Sequence, residues 1–259
     1  MPATDAPLDR AGLLAAVVQA ASASAAGGET PEDVRALDGR QFEMRIRFGC
    51  RGPAKALDAT WLGWSFDAQN RTLRVQARPT VSIEEPLVGQ IAGDGFEGVE
   101  GFWIPRPWLL QSTCPATIAL SPKKVGAPAE DEASEAKPPA TGAPEEAPLP
   151  AIESKGEPEP TAPRIGVAQF FTSDDARTHR RGTRPYSAVK TVPEGTPLPS
   201  QGFNLVLSGR LRALPGRSAI ACQAKGADTP PECLVSVEFL RVWIEQPQTQ
   251  EVIAEWGGG

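Results

Sequence analysis

Gln41-Phe42-Glu43-Met44-Arg45-Ile46-Arg47-Phe48 decides the fold class. Phe42, Met44, Ile46 and Phe48 fall on one side of an extended chain, and Gln41, Glu43, Arg45 and Arg47 on the other. Successive side chains of a strand point to opposite faces, so a period of two over eight residues predicts a strand with one buried face. A helix would scatter the same residues around its circumference.

Working outward, the pattern recurs. Residues 60–66 and 72–78 flank the polar stretch Asp67-Ala68-Gln69-Asn70-Arg71, which is short enough to close a hairpin. Phe203, Leu205, Leu207 and Leu211 share a face, and Pro215-Gly216 ends that run, with 218–223 predicted to return as its second arm. The run 233–244 keeps Val235, Val237, Phe239 and Trp243 in odd positions and Leu240, Val242 and Ile244 in even ones. The change near Leu240-Arg241 predicts a β-bulge, or a strand covered on both faces beyond that point. Residues 252–256 close the series, and helical periodicity is confined to the amino-terminal run and to 83–91. Many short strands between Gly/Pro turns predict an all-β fold: a β-sandwich, or partly open barrel, of short antiparallel strands.

A second kind of sequence interrupts it. Residues 121–163 hold ten prolines, no aromatic residue, and nine acidic residues against four lysines, a net −5. That stretch cannot bury enough apolar surface to offset the ordering of its backbone, and is expected to be a long disordered insertion. The expected organisation is a signal-like or flexible segment over 1–27, a first half of the β domain over 28–120, the linker over 121–163, and a second half over 164–259. Because each half is small for a core of its own, both are expected to share one. The whole chain carries −6 with a pI near 5.1, so what remains outside the linker is close to neutral. Nucleic acid is therefore not an expected partner.

Four cysteines, Cys50, Cys114, Cys222 and Cys233, are consistent with two disulfides. Cys222 and Cys233 flank a short polar loop and make the clearer pair, which leaves Cys50 with Cys114. The amino terminus bears on the same compartment. Leu13-Leu14-Ala15-Ala16-Val17-Val18 precedes Ala21-Ser22-Ala23-Ser24-Ala25, small residues at the spacing signal peptidase accepts. Asp5 and Asp9 stand where positive charge is usual, and the alternative is an amphipathic helix using Leu13, Leu14, Val17 and Val18. These features predict a periplasmic or secreted protein. No stretch is long enough to span a bilayer as a helix.

Chemistry is harder to find. The sole histidine, His179, lies in Asp174-Asp175-Ala176-Arg177-Thr178-His179-Arg180-Arg181, with no Gly-x-Ser-x-Gly elbow anywhere in the chain. One histidine and cysteines no closer than eleven positions give no metal-ligand spacing, and no cofactor is expected. The best ligand candidate is an oxyanion site of Arg177, Arg180, Arg181, Arg184 and Tyr186, since guanidinium forks grip oxyanions in pairs. Its natural ligand would be an anionic glycan, a phosphate or an acidic lipid headgroup. Phe102-Trp103-Ile104-Pro105-Arg106-Pro107-Trp108-Leu109-Leu110 is the densest apolar stretch. Its prolines exclude a central strand, so it either covers the core or forms a partner surface. The resulting expectation is a binding or structural module of the cell envelope. The rival expectations are a hydrolase built from loops around His179, and an envelope assembly protein using the segment from Trp103 to Trp108.

Overall fold

The computed structural model describes residues 6–115, 164–175, 184–226 and 228–257. The segment 121–163 expected to be disordered lies outside the described residues.

Among the described residues, ten strands and three α-helices make the fold: β1 (Gln41–Phe48), β2 (Leu62–Asp67), β3 (Thr72–Ala77), β4 (Gly98–Trp103), β5 (Arg164–Phe171), β6 (Tyr186–Thr191), β7 (Phe203–Leu211), β8 (Ile220–Gln223), β9 (Glu232–Glu245) and β10 (Val252–Gly257), with α1 (Arg10–Ala25), α2 (Glu32–Arg35) and α3 (Pro86–Ala92). It is all-β and sandwich-like. One sheet runs β1-β7-β9-β5-β4, with β8 and β10 also on β9, and the other runs β2-β3-β6. Phe42, Met44, Ile46, Phe203, Leu205 and Leu207 from the first meet Trp64, Leu73, Val75, Ala77 and Tyr186 from the second in one core.

β9 organises the larger sheet. Along one edge it pairs first with β8 and then with β7; along the other, first with β5 and then with β10. β7 and β8 therefore lie end to end on the same edge, the amide of Arg212 and the carbonyl of Ala219 both bonding Ser236. This corrects the expected β7–β8 hairpin. A strand of 14 residues is long enough to seat both partners in succession. The β5–β9 pair is parallel, the exception among otherwise antiparallel ladders. Where that pairing ends, after Ala168, the Gln169 side chain takes over by accepting the Phe239 amide at 2.8 Å.

The bulge expected near Leu240-Arg241 is present. Ser208 faces Arg241 and Gly209 faces Phe239, so Leu240 has no residue opposite and is 44% exposed. The extra residue swaps the inward face of β9. Val235, Val237 and Phe239 point into the core before it, and Val242 and Ile244 after it. Trp243 is thereby turned to the outer face. Gly209 is required at this crossing, since a Cβ there would overlap the Glu238 carbonyl.

The amino-terminal run, read either as a signal or as an amphipathic helix, is helix α1. Asp9 caps it by accepting the Gly12 amide at 2.8 Å. Arg10, Leu13, Leu14, Val17 and Ala20 form its buried stripe, while Val18, assigned to that face from the sequence, is 63% exposed. Leu13, Leu14 and Val17 belong to the main core, and each contributes about 1.5–3 kcal/mol by burial. Removal of this segment would strip the core. Helix α3 covers the opposite face of the main sheet, packing Leu87, Val88 and Ile91 against Ala168, Phe170 and Leu234.

Candidate functional site

The disulfide Cys50–Cys114 joins the loop that follows β1 to the one that follows β4. Gly49 starts the first loop with φ of +72°, and the Trp64 ring occupies the space its Cβ would need. In the second, the Leu109 amide bonds the Arg106 carbonyl at 2.9 Å, closing a turn with Pro107 and Trp108 at its centre. Proline suits the first central position of such a turn, with φ already set. Arg106 itself has φ of +54°, a strained value for a side-chain-bearing residue.

Arg10 fastens this turn to the sheet. Its Nε donates to the Leu109 carbonyl at 2.8 Å, and its Nη2 to those of Pro105 at 3.3 Å and Arg106 at 3.0 Å. Its Nη1 reaches the Arg45 carbonyl on β1 at 3.4 Å. Arg106 in turn donates to the Arg47 carbonyl at 2.7 Å. Arg10 is 7% exposed, and burial, followed by repulsion from Arg106, lowers its pKa to about 10. Burial likewise lowers Arg47 and Arg106, with the Glu245 charge pulling Arg47 back and Arg51 pushing Arg106 further down.

What this end presents outward is unusual in composition. Trp108 is 64% exposed and Leu110 55%. The loops 49–56 and 104–115 also carry Arg51, Lys55 and Arg106 and contain no acidic residue. Phe102 and Ile104 are core. Trp103 lies under Arg164, with the guanidinium carbon 3.7 Å from its ring centre, and donates from Nε1 to Glu85 at 3.0 Å. The apolar stretch thus divides: its first half fills the interior, and its second half faces solvent.

The outer face exposed by the β9 bulge carries a separate polar cluster. Glu245, 2% exposed, accepts from Arg45 Nε at 2.9 Å, Asn204 Nδ2 at 3.1 Å and Trp243 Nε1 at 2.8 Å. Its carboxylate is fully engaged, which fits a structural role better than a catalytic one.

Of the arginine site expected from sequence, Arg177, Arg180 and Arg181, with His179, lie outside the described residues. Arg184 is exposed. Tyr186 is only 3% exposed, with its ring against Phe102 and Trp256 and its hydroxyl on the Glu100 carboxylate. Among the described residues the cysteines are paired as Cys50–Cys114 and Cys222–Cys233. Also among them, no group of three His, Cys, Asp or Glu is placed to hold a metal, and no helix is long and apolar enough to cross a membrane. An open cleft of about 760 Å³ passes between the α1–α2 connection and the β7–β8 connection. Its charges are already engaged: Arg35 sits 3.8 Å from Glu29, and Asp38 accepts the Ala213 amide at 2.7 Å.

Sequence reasoning missed Arg10 and Arg47. Arg10 lies in a run read for export, and Arg47 on the polar face of a strand; neither has a local pattern marking it as buried. Comparison of the chain with protein-family models, curated proteins and solved structures gives no match.

Proposed function

We propose that this protein is a binding module of an extracytoplasmic compartment, periplasmic or secreted, whose contact surface is the turn bearing Trp108. The partner is a protein of the envelope that offers an apolar pocket with an acidic rim. The observation that carries the reading is the pairing of an exposed Trp108 with a turn held rigid from below. Trp and Arg dominate the energetics of protein interfaces, and a turn whose backbone is held before binding loses little entropy on docking. The cations Arg51, Lys55 and Arg106, with no acid among them, favour an acidic partner. A lipid surface would demand a broader apolar face than one Trp and one Leu, and would draw no benefit from a pinned turn. The compartment assignment rests on the two disulfides, since the amino-terminal run is a helix of the core.

A photo-reactive amino acid at position 108, and another at the equally exposed Val189 on β6, test this reading in intact cells. The expected result is one discrete protein adduct from position 108, none from 189, and loss of the adduct when Arg51 and Lys55 are changed to Glu. Adducts to lipid, or equal labelling from both positions, would refute it.

A further inference from the structure

Beneath the Trp108 turn, a cavity of about 10 Å³ is lined by Arg10, Arg47, Arg106, Gln111, Ser112 and Thr113. That is room for one small particle, a water or a monatomic ion, and too little for phosphate or sulfate. Three arginines line it, and among the described residues no carboxylate lies within ion-pair distance of any of them, the nearest influence being the Glu245 charge on Arg47. Among the described residues the nearby acids, Glu43 and Glu245, both contact Arg45, at 2.6 and 2.9 Å, and neither forms an ion pair with the arginines of the cavity. Arg10 has spent its donors on carbonyls and contributes field rather than bonds. Arg47 differs. It is only 9% exposed, its Nη1 donates to the Gln201 carbonyl at 3.3 Å, and its Nε–H is buried without an acceptor. A buried donor left unmet is destabilising, and so is a buried charge whose counter-charge, here Glu245, is committed to other donors. One small anion would relieve both.

We propose that this cavity binds a single monatomic anion of the halide class, held by the Arg47 Nε–H in the combined field of Arg10 and Arg106. The Ser112 and Thr113 hydroxyls and the Gln111 amide at the cavity wall supply further donors. The ion would neutralise part of the charge under the turn and tie its far end, toward Cys114, to β1. The inference concerns the interior of the turn and stands whether or not Trp108 meets a partner.

Thermal unfolding of the full chain in sodium chloride, sodium bromide and sodium gluconate at one fixed ionic strength provides the test. Gluconate is too large for the cavity. The expected result is a saturable rise in Tm of roughly 3 °C with chloride or bromide over gluconate, abolished in Arg47→Gln. Chloride-35 resonance broadening by the unaltered protein supplies a second measurement, in case Arg47→Gln folds poorly. Identical melting in chloride and gluconate, as a lone water in the cavity would give, overturns the proposal. So does a chloride response that survives Arg47→Gln, or line broadening no greater than that of a control protein lacking such a cavity.

Discussion

Arg45 and Glu245, 200 positions apart in the sequence, meet at 2.9 Å across the outer face of the main sheet. Arg45 is one-third exposed at its side chain and also holds Glu43, whereas Glu245 is enclosed and takes two further bonds from Asn204 and Trp243. Removal of the acid therefore strands three donors, and removal of Arg45 leaves the acid two of its three. Glu245→Ala is expected to destabilise by about 3 kcal/mol, and Arg45→Met by distinctly less. Urea unfolding monitored by tryptophan fluorescence measures both.

Arg10 makes a different kind of claim, because its partners are carbonyls rather than charges. Arg10→Met keeps the stem and loses the bonds to Pro105, Arg106 and Leu109, with an expected cost of about 2 kcal/mol after relief of the buried charge. Arg10→Lys is expected to recover little of it, since an ammonium cannot span three carbonyls in a plane. Limited proteolysis supplies the local readout: cleavage within 105–111 is expected to accelerate in both variants. Unchanged resistance there would mean that the turn is held by the disulfide alone.

The two bridges should contribute unequally. Cys222 and Cys233 stand directly opposite in the β8–β9 ladder, 11 positions apart, while Cys50 and Cys114 are 64 apart. On the chain-entropy account, loss of the first by paired serine substitution costs about 3 kcal/mol and of the second about 4. Calorimetry of the two double variants should show the Cys50/Cys114 variant melting lower. Mass spectrometry under non-reducing conditions should find no free thiol in the parent.

Asp67 gives a pH signature. Its carboxylate accepts the Asn70 side chain at 2.7 Å and the amides of Gln69 and Asn70, and these bonds hold it below its ordinary 3.8. A carboxylate depressed in the folded state stabilises fully above 3.8, and the stabilisation fades as pH falls through the lower, folded value. The Tm gap between the parent and Asp67→Ala is therefore expected to be constant above pH 5 and to close in acid. A gap that widened on acidification would contradict the assignment.

Much of the sheet was legible because its signal is local. The alternation in 41–48 names β1, and the break at Leu240 is written in β9 as a change of parity. Partner choice is not local. Nothing in 203–223 says that β8 joins β9 rather than β7; the one hint was the Cys222/Cys233 pair, which spans the true ladder. Tyr186 begins a strand whose other residues are mostly exposed, and its burial is visible only through distant partners, Glu100, Phe102 and Trp256. Arg10 was invisible for the same reason, with acceptors near residues 45 and 105–109.

The order of strands in the main sheet has a consequence for biogenesis. β1 and β4, made early, lie at its two outer margins, and the centre between them is filled by β5, β7 and β9 from the last hundred residues. A chain emerging from the ribosome holds its margins without their middle until β9 arrives, at residues 232–245. Up to that moment β1 has at most β7 to lean on, and the core has no floor. Such a polypeptide cannot close its main sheet until synthesis is nearly complete.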